Sequence, residues 1–366
     1  RERGAMLWVD KHRPRTVDQL DYHTELAASL KAMVARGDFP HMLLYGPPGA
    51  GKKTRVLALL REIYGPGVEK VKVEHKQFKV NSTTVEVPIL SSPHHLELNP
   101  GDAGNRDRDV VQEVIKDIAA SAPLPGGAAA GADGAPQWKP FKIIVLNEVD
   151  NLTKDAQHAL RRTMEKYIST CRIIMTCNNA SRVLAPVRSR CLCVRVAAPT
   201  TEDVRRVMAA TARKEGIALP DGLAGRIAQQ ARGNLRKALL LLETARVVQL
   251  PLTDSQPIKQ ADWERYVSEI ARGIVGEQSP RKLGEVRNKV YDLLAHCVPP
   301  DMIMEALTRV LLKSVGDQPE LQMEIVALAA QYEHRMLGGT KAIFHIEAFI
   351  AKFMAIYKRF LIASFS

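Results

Sequence analysis

Long apolar runs and paired cysteines are both missing from this sequence. No apolar stretch approaches the roughly 20 residues that a membrane-spanning helix needs, and the first residues lack the apolar core of a secretory signal. Five cysteines occur in 366 residues, but none forms a Cys-x-x-Cys pair, and no histidine lies at zinc-ligand spacing from them. These absences argue against a membrane partner, a secreted disulfide scaffold and a zinc site. They predict reduced thiols and a cytosolic or nuclear protein.

The charge balance is strongly basic. The formal net charge is +12 and the sequence pI is about 9.5. Such a charge favours a polyanionic partner, most simply nucleic acid, although a solvated basic surface would give the same composition. The length predicts two or three domains.

Buried strands alternate with helices in the first half of the chain. Short apolar segments such as "HMLLYG", "FKIIVL" and "CRIIMTC" are each followed by turn residues and a helical period, which predicts a parallel sheet with helices on both faces. Residues 69–97 alternate in polarity and predict an extended hairpin. After residue 198 the strands stop. We therefore predict an α/β domain over 1–198, then all-helical domains over 199–255 and 262–366.

A glycine-rich segment, "GPPGAGKK", follows the first predicted strand and precedes a helix. This context is the one that a phosphate-binding P-loop requires, since its backbone N–H groups and the helix N-terminus face phosphate oxygens. Lys52 is expected to reach the β and γ phosphates. The candidate nucleotide-binding residues of this segment are Gly46, Pro47, Pro48, Gly49, Ala50, Gly51, Lys52, Lys53 and Thr54.

The two usual protein ligands of magnesium are both replaced. The P-loop pattern ends in a Ser or Thr hydroxyl, but here the residue is Lys53, and Thr54 comes one position late, about 100° further round the helix. In "FKIIVLNEVD", Asn147 stands at the position where an acidic residue usually holds the ion. The residue that would prepare a water molecule, Glu148, is present. Magnesium prefers anionic oxygen ligands. The sequence therefore predicts a site that binds ATP or ADP, holds Mg²⁺ weakly or not at all, and hydrolyses poorly.

Several motifs occur together in an order that resembles a known family. They are "LWVDKHRP", "GPPGAGKKT", "LNEVDNLTKDAQHALRRTMEKY", "TCNNASRVLAPVRSRC" and "GNLRKALL", and they resemble the small subunits of replication factor C. The doubled lysine and the segment "YEHRMLGGTKAIFHIEAFIAKFMAIYK" are most similar to the branch numbered three in one nomenclature and five in another. The resemblance covers almost the whole chain.

This resemblance implies a fold, an activity and partners. The fold would be an AAA+ P-loop domain, a helical lid and a helical collar that closes a ring of five subunits. The activity would be ATP-dependent loading of a sliding clamp of the PCNA type onto primer–template DNA, in replication and repair. The expected partners are four other subunits, the clamp and the DNA, and the expected location is the nucleus.

The resemblance also implies roles for single residues. Arg190 in "VRSRC" matches the arginine finger, which reaches the γ-phosphate in a neighbouring subunit, and a planar fixed cation suits that task. Asn178 matches the first sensor and Arg236 the second. Each could instead be a surface arginine or a turn residue without a catalytic role.

Further matches concern the base and the catalytic carboxylate. Arg13 and Pro14 lie where the family encloses the adenine, although an N-terminal turn would contain the same residues. Asn99 matches a residue that can restrain Glu148.

The candidate DNA contacts are basic residues. Arg106 lies near a matching place, but Gln112 stands where relatives have a second arginine. Arg161 and Arg162 are expected on the helix after Glu148, where one would reach phosphate or the adjacent subunit and a solvated charged face is the alternative.

Two segments before the "FKIIVL" strand bear on clamp contact. Residues 121–137 are rich in Gly, Ala and Pro and predict a flexible insertion. The helix before it carries apolar residues that would either contact the clamp or belong to the domain core: Val111, Val114, Ile115 and Ile118.

Two other functions remain open on the sequence. Glu148, Lys52 and Asn178 would support a competent ATPase in its own right. The alternative is an interaction scaffold with an empty P-loop. Whether the chain is itself an enzyme is left undecided by the sequence.

Overall fold

The structure is a computed structural model that describes residues 6–36, 39–80, 83–120, 141–168, 170–339 and 341–365. The chain divides into two compact units between Ile258 and Lys259. Each unit is described by itself.

The first unit is built on a seven-stranded sheet with the order β2-β3-β4-β5-β6-β1-β7. Five neighbouring strands of this sheet, β4, β5, β6, β1 and β7, run parallel to one another, as the sequence predicts. The segment 69–97, predicted as a hairpin, contains β2, β3 and most of β4. These three strands pair antiparallel in chain order, so the complete sheet is mixed. The strands are β1 Met42–Tyr45, β2 Lys72–Val80, β3 Thr83–Ser91, β4 His95–Leu98, β5 Lys142–Leu146, β6 Cys171–Cys177 and β7 Leu192–Arg195.

Helices cover both faces of this sheet and continue beyond it. Because β1, β5 and β6 are buried on both faces, they are nearly continuous apolar runs. Two separate apolar clusters contain alternate residues of these strands, for example Leu43 in one cluster and Leu44 in the other. The helices are α1 Trp8–Lys11, α2 Thr24–Ala35, α3 Lys52–Tyr64, α4 Asp107–Ala120, α5 Lys154–Lys166, α6 Ala185–Arg188, α7 Thr201–Lys214, α8 Asp221–Ala231 and α9 Leu235–Val248.

The register of the parallel strands brings four strand ends together. Tyr45 lies opposite Cys177, and Leu146 lies opposite both Leu98 and Met175. The residues that follow β1, β4, β5 and β6 are therefore neighbours at one edge of the sheet. Ligands bind at the carboxyl ends of strands in open α/β sheets.

Helix α4 packs its apolar residues into the domain core. Val111, Val114 and Ile115 are 0%, 3% and 0% exposed and belong to the same cluster as Leu43. The hypothesis that these side chains contact a clamp is therefore wrong for these three residues, and the core alternative is correct. The side chain of Ile118 and the insertion at 121–137 lie outside the described residues.

The N-terminal segment packs on the helices that follow the sheet. Trp8 is 3% exposed and shares a core with α7, α8 and α9. Its backbone N–H donates to Glu243 Oε2 at 3.1 Å, and the guanidinium of Arg246 lies 5.1 Å from its ring centroid. Lys11 Nζ lies 2.6 Å from Glu215 Oε1 at the end of α7. These contacts attach the segment that carries Arg13 and Pro14 to the three-helix group.

The second unit is helical throughout its described residues. Ser279 caps α11 (Pro280–Ala295) by accepting from the Lys282 N–H, and Pro280 is the first residue of the helix. Val286 and Val290 of this helix are buried, whereas Cys297, which lies beyond the helix end at Ala295, is exposed. The helices are α10 Asp262–Gly276, α11 Pro280–Ala295, α12 Pro300–Val315, α13 Pro319–Gly338 and α14 Ala342–Phe365.

Among the helices that the structure describes, none combines the length and the apolar character that a membrane span needs.

Candidate nucleotide site

The loop between β1 and α3 depends on glycine at two close approaches. Gly46 has φ +156°, and a Cβ there would lie 1.9 Å from the Val196 carbonyl oxygen. Gly49 has φ +74°, and a Cβ there would lie 1.9 Å from Asn234 Oδ1. Ala50 is fully buried, and its carbonyl accepts from the Tyr22 hydroxyl at 2.8 Å. The loop is thus fixed by the sheet on one side and by α9 on the other.

Lys52 is the first residue of α3 and points back across the loop. Its Nζ donates to the carbonyls of Gly46 at 2.6 Å and Pro47 at 2.9 Å, and to Asn178 Oδ1 at 2.8 Å. Burial lowers the pKa of Lys52, against the opposing effects of Cys177 and Asp150. The predicted first sensor and the predicted phosphate-binding lysine are therefore in direct contact.

Asp150 organises the turn after β6, a role that the sequence did not reveal. Its Oδ2 accepts from the backbone N–H groups of Asn178 at 3.0 Å and Asn179 at 3.1 Å. A carboxylate that binds two consecutive N–H groups fixes the turn and so orients the Asn178 side chain towards Lys52.

Glu97 joins the two residues that replace the usual magnesium ligands. Its Oε1 accepts from Lys53 Nζ and, at 2.7 Å, from Asn147 Nδ2. Asn147 Oδ1 in turn accepts from the Thr176 hydroxyl at 3.1 Å. The Glu97 side chain is 7% exposed and that of Lys53 41%. Sequence reasoning missed Glu97, since it lies in a segment that shows only strand alternation.

These side chains do not fit the ligand set that magnesium normally has. Magnesium needs oxygen donors in octahedral geometry, but Lys53 presents an ammonium group, and the oxygen of Asn147 already accepts a hydrogen bond. The carboxylate of Glu97 is engaged by both residues. Nor do the described residues contain a group of three His, Cys, Asp or Glu side chains placed to hold a metal ion.

Glu148 lies at the same edge with an unusual backbone. It has φ +53° and stands directly before a short 3₁₀ turn, Val149–Asn151. Its Oε2 accepts from Asn151 Nδ2 at 3.2 Å. Asn99, which the resemblance implies as the residue that restrains Glu148, lines a cavity together with Glu148.

One cavity of about 450 Å³ contains most of the predicted catalytic and phosphate-binding residues. It is lined by Lys52 and Lys53 from the loop and by Arg236 from the second position of α9. Asn234 caps α9 by accepting from the Lys237 N–H at 3.0 Å, and it is the residue against Gly49. The further lining residues from the predicted set are Arg13, Pro48, Gly49, Gly51, Thr54, Asn147, Glu148 and Asn178.

A second cavity of about 460 Å³ adjoins the loop on the side of the N-terminal segment. Arg13 and Pro14 line it, together with Thr54 and Arg236. Arg13 also pairs with Asp10 at 3.2 Å. Because Arg13, Thr54 and Arg236 line both cavities, the predicted base-binding residues adjoin the predicted phosphate-binding residues.

Arg55 is a buried cation beside the loop that sequence reasoning also missed. It is 2% exposed, its Nη1 donates to the Ala50 carbonyl at 3.1 Å, and its Nη2 donates to the Tyr22 carbonyl at 3.0 Å. The guanidinium lies 4.5 Å from the Tyr22 ring centroid. This contact holds the loop from the side of the second cavity.

Family models match the chain over three consecutive parts. Residues 42–197 match the ATPase family associated with various cellular activities (AAA), and residues 207–247 match the RCF1/5-like AAA+ ATPase lid domain. Residues 263–361 match the replication factor C subunit 3 C-terminal domain.

Full-length relatives decide the family. Replication factor C subunit 3 of Mus musculus is 52% identical over 356 residues, which are 97% of each chain. Replication factor C subunit 5 of Oryza sativa subsp. japonica is 50% identical over 364 residues, which are 98% of this chain and all of the relative. This chain belongs to the replication factor C family. Its relatives carry the numbers three and five, as the resemblance implied.

The fold has counterparts beyond replication factor C. A mutant RuvB protein from Thermotoga maritima superposes with a TM-score of 0.50 at 16% identity, over 82% of this chain and 91% of that one. At this identity the likeness concerns the AAA+ fold alone.

The replication factor C motif "VRSRC" begins in the short helix α6 and continues past its end at Arg188. Arg190 Nε donates to Glu165 Oε1 at 2.6 Å, and its Nη1 donates to the Pro186 carbonyl at 2.7 Å. Its side chain is one-third exposed. Arg190 does not line either of the two cavities described above.

The predicted DNA contacts lie on two helical elements. Arg106 ends a 3₁₀ segment directly before α4. Arg162 is exposed on α5, and Arg161 is half-buried with its Nε 3.8 Å from Glu165 Oε1.

Proposed function

We propose that this chain is a nucleotide-binding subunit of a five-subunit clamp loader that uses ATP to open a sliding clamp and load it onto primer–template DNA. Membership of the replication factor C family supports the assembly. The observation that carries the nucleotide role is the cavity at the strand ends, where Lys52 from the loop and Arg236 from α9 line the same space. Two cations and a turn of backbone amides suit a polyphosphate.

Nucleotide binding requires Lys52 to exchange partners. Its present acceptors are two loop carbonyls and Asn178, and phosphate oxygens would replace them as stronger, charge-assisted acceptors. ATP and ADP share the phosphates next to the loop, so either would bind there.

Hydrolysis at this site is proposed to be poor. Efficient hydrolysis needs a metal ion that neutralises charge developing on the transferred phosphate. Lys53, Glu97 and Asn147 form a set with no net charge where that ion and its ligands would be. Glu148 alone cannot supply the missing charge.

Arg190 is proposed to act on a neighbouring subunit. The contacts that hold it leave the side chain one-third exposed, so it could extend to a phosphate at a subunit boundary. Glu165 would then release it. The matching motif position in the family supports this role.

Contacts with DNA and clamp complete the proposal. Arg162 is exposed on α5 and suits a phosphate contact, whereas Arg161 lies near a carboxylate. Salt-dependent DNA binding would be expected for the assembled ring. A nuclear location, a role in repair, four partner subunits and a clamp of the PCNA type stay predictions, which native co-purification and imaging would test.

One experiment separates the proposal from its two alternatives. The purified chain would be extracted for bound nucleotide, then loaded with ATP for a single-turnover measurement. We expect stoichiometric nucleotide and a very slow turnover. Rapid turnover would favour a competent ATPase, and a chain that neither carries nor binds nucleotide would favour a scaffold.

A further inference from the structure

We propose that the ammonium group of Lys53, held by Glu97, takes the place of the magnesium ion in this site, so that nucleotide binds without a divalent cation. The inference rests on the proposed nucleotide-binding function. It goes further, because it names the group that occupies the position of the ion and makes the metal unnecessary for binding.

The first step is the position of Lys53. It is the second residue of α3, directly after the phosphate-binding Lys52. The P-loop pattern has its metal-binding hydroxyl at this position. Lys53 lines the same cavity as Lys52, Glu148 and Asn178. Its side chain therefore enters the space in which the ion would lie.

The second step is that the ammonium group is anchored. Glu97 is buried on β4, and its Oε1 accepts from Lys53. A free lysine side chain is flexible and strongly hydrated, but this one is held at its charged end. Since an ammonium group has three N–H donors, donors remain for phosphate oxygens.

The third step is that Asn147 fits this arrangement, whereas an aspartate would not. The carboxylate of Glu97 can only accept, so the Asn147 amide must turn its Nδ2 towards it, and the Thr176 hydroxyl donates to the opposite oxygen. An aspartate at this position would place a second carboxylate against Glu97. Lys53, Glu97 and Asn147 are thus one consistent set.

Charge completes the argument. A magnesium ion with one carboxylate ligand leaves one positive unit near the phosphates, whereas Lys53 with Glu97 leaves none. Binding would then depend on Lys52, Arg236 and the loop amides, which remain. The same loss of positive charge would leave the transition state of hydrolysis poorly stabilised.

The test compares nucleotide affinity with and without metal. A fluorescent ADP analogue would be titrated with the nucleotide-free full-length chain, once in Mg²⁺ and once in EDTA. We expect the two Kd values to differ by less than about threefold. In the double variant Lys53→Thr/Asn147→Asp, which restores the usual ligand types, EDTA should weaken binding by more than about tenfold. Lys116→Thr, an exposed lysine on α4, is the matched control and should behave as the wild type.

A second measurement follows the metal itself. When the wild-type chain binds a complex of Mn²⁺ and ADP, the electron paramagnetic resonance signal of free Mn²⁺ should rise, because the metal is displaced. Circular dichroism melting would check that the double variant is folded. The wild-type measurements do not depend on that variant.

The outcomes separate the inference from the proposed function. Metal-dependent affinity, or Mn²⁺ retained in the wild-type complex, would overturn the role of Lys53 while leaving nucleotide binding intact. A chain that binds nucleotide in neither buffer would overturn the proposed function and this inference with it.

Discussion

The two sides of the candidate nucleotide site differ in how closely they keep the expected chemistry. On the phosphate side, Gly46, Gly49 and Lys52 form a tightly fixed loop with its cation in place. On the metal side, Lys53 and Asn147 replace both usual ligands, and the buried Glu97 joins them. In the proposed function, binding and hydrolysis would thus depend on different groups, so that binding could be kept while hydrolysis is lost.

The largest expected effect concerns the proposed action of Arg190 on a neighbouring subunit. Arg190→Ala should leave nucleotide binding to this chain unchanged, because the residue lines neither cavity. An arginine finger supplied in trans contributes about 10³–10⁵ in rate, so the neighbour's site should lose activity on that scale. ATPase measurements on the assembled ring would show a partial loss, since other sites remain. The control is Arg188→Ala, which changes an exposed arginine two residues away. Normal ATPase activity in an assembled Arg190→Ala ring would contradict the assignment of Arg190 as an arginine finger.

The next largest effect tests the phosphate side. Gly46→Ala would place a Cβ 1.9 Å from a backbone oxygen that cannot move aside easily. We expect nucleotide affinity to fall by at least about 100-fold, measured by equilibrium titration in EDTA.

A control variant separates the effect of backbone strain from the effect of a steric clash. Gly65 has φ +75° but nothing within 4 Å of a built Cβ, so Gly65→Ala should cost only about 1 kcal/mol of backbone strain and should keep its affinity. If Gly46→Ala binds as the wild type does, the loop is not the phosphate-binding element.

The sequence predicted the parallel strands, the hairpin and the helical regions from short-range patterns. Apolar runs such as "KIIVL" and the alternation over residues 69–97 depend only on local burial, and the structure follows them. The same patterns could not tell which partner a buried face has. Val111 and Ile115 therefore allowed a clamp contact, although they pack in the core.

Long-range pairings explain what the sequence could not predict in the site. Glu97 lies 44 positions from Lys53 and 50 from Asn147. The pairing of β4 with β5 brings it to Asn147, and the order of β4, β5, β6 and β1 in the sheet places it near the start of α3. The loss of two metal ligands was evident from Lys53 and Asn147 alone. The sequence did not indicate that these two residues share one carboxylate. Likewise, no local pattern indicates that Trp8 packs on α9.

A smaller effect tests whether Asn147 donates to Glu97 in the set that replaces the magnesium ligands. Asn147→Asp replaces an N–H donor 2.7 Å from Glu97 by a second carboxylate. We expect a loss of about 1–3 kcal/mol in the free energy of unfolding, measured by denaturant titration, and no gain in hydrolysis because Lys53 remains.

The pH dependence of this loss has a definite sign. Repulsion by Glu97 and burial would raise the pKa of the new carboxyl group in the folded state. The folded state then holds more protons than the unfolded state, so stability falls as the pH rises. The deficit should therefore be largest near neutral pH and should shrink as the pH approaches about 4. Asn288→Asp, at an exposed position of α11, should show neither effect. An equally stable Asn147→Asp protein at neutral pH would contradict the arrangement.

The smallest expected effect concerns the contact that holds Arg190, the proposed arginine finger. Arg190 and Glu165 are paired at 2.6 Å, and their side chains are 33% and 48% exposed. Such surface pairs contribute about 0–1 kcal/mol, so releasing the finger from Glu165 should cost no more than that. Glu165→Gln should accordingly raise the ATPase rate of the assembled ring by at most about fivefold at the one affected site, with no change in nucleotide affinity of this chain. Glu202→Gln removes a similar exposed pair with Arg205 on α7 and should leave the rate unchanged. A large fall in ATPase after Glu165→Gln, in a ring that assembles normally, would show instead that Glu165 positions Arg190 for its neighbour, because the carboxylate would then be needed in the active arrangement.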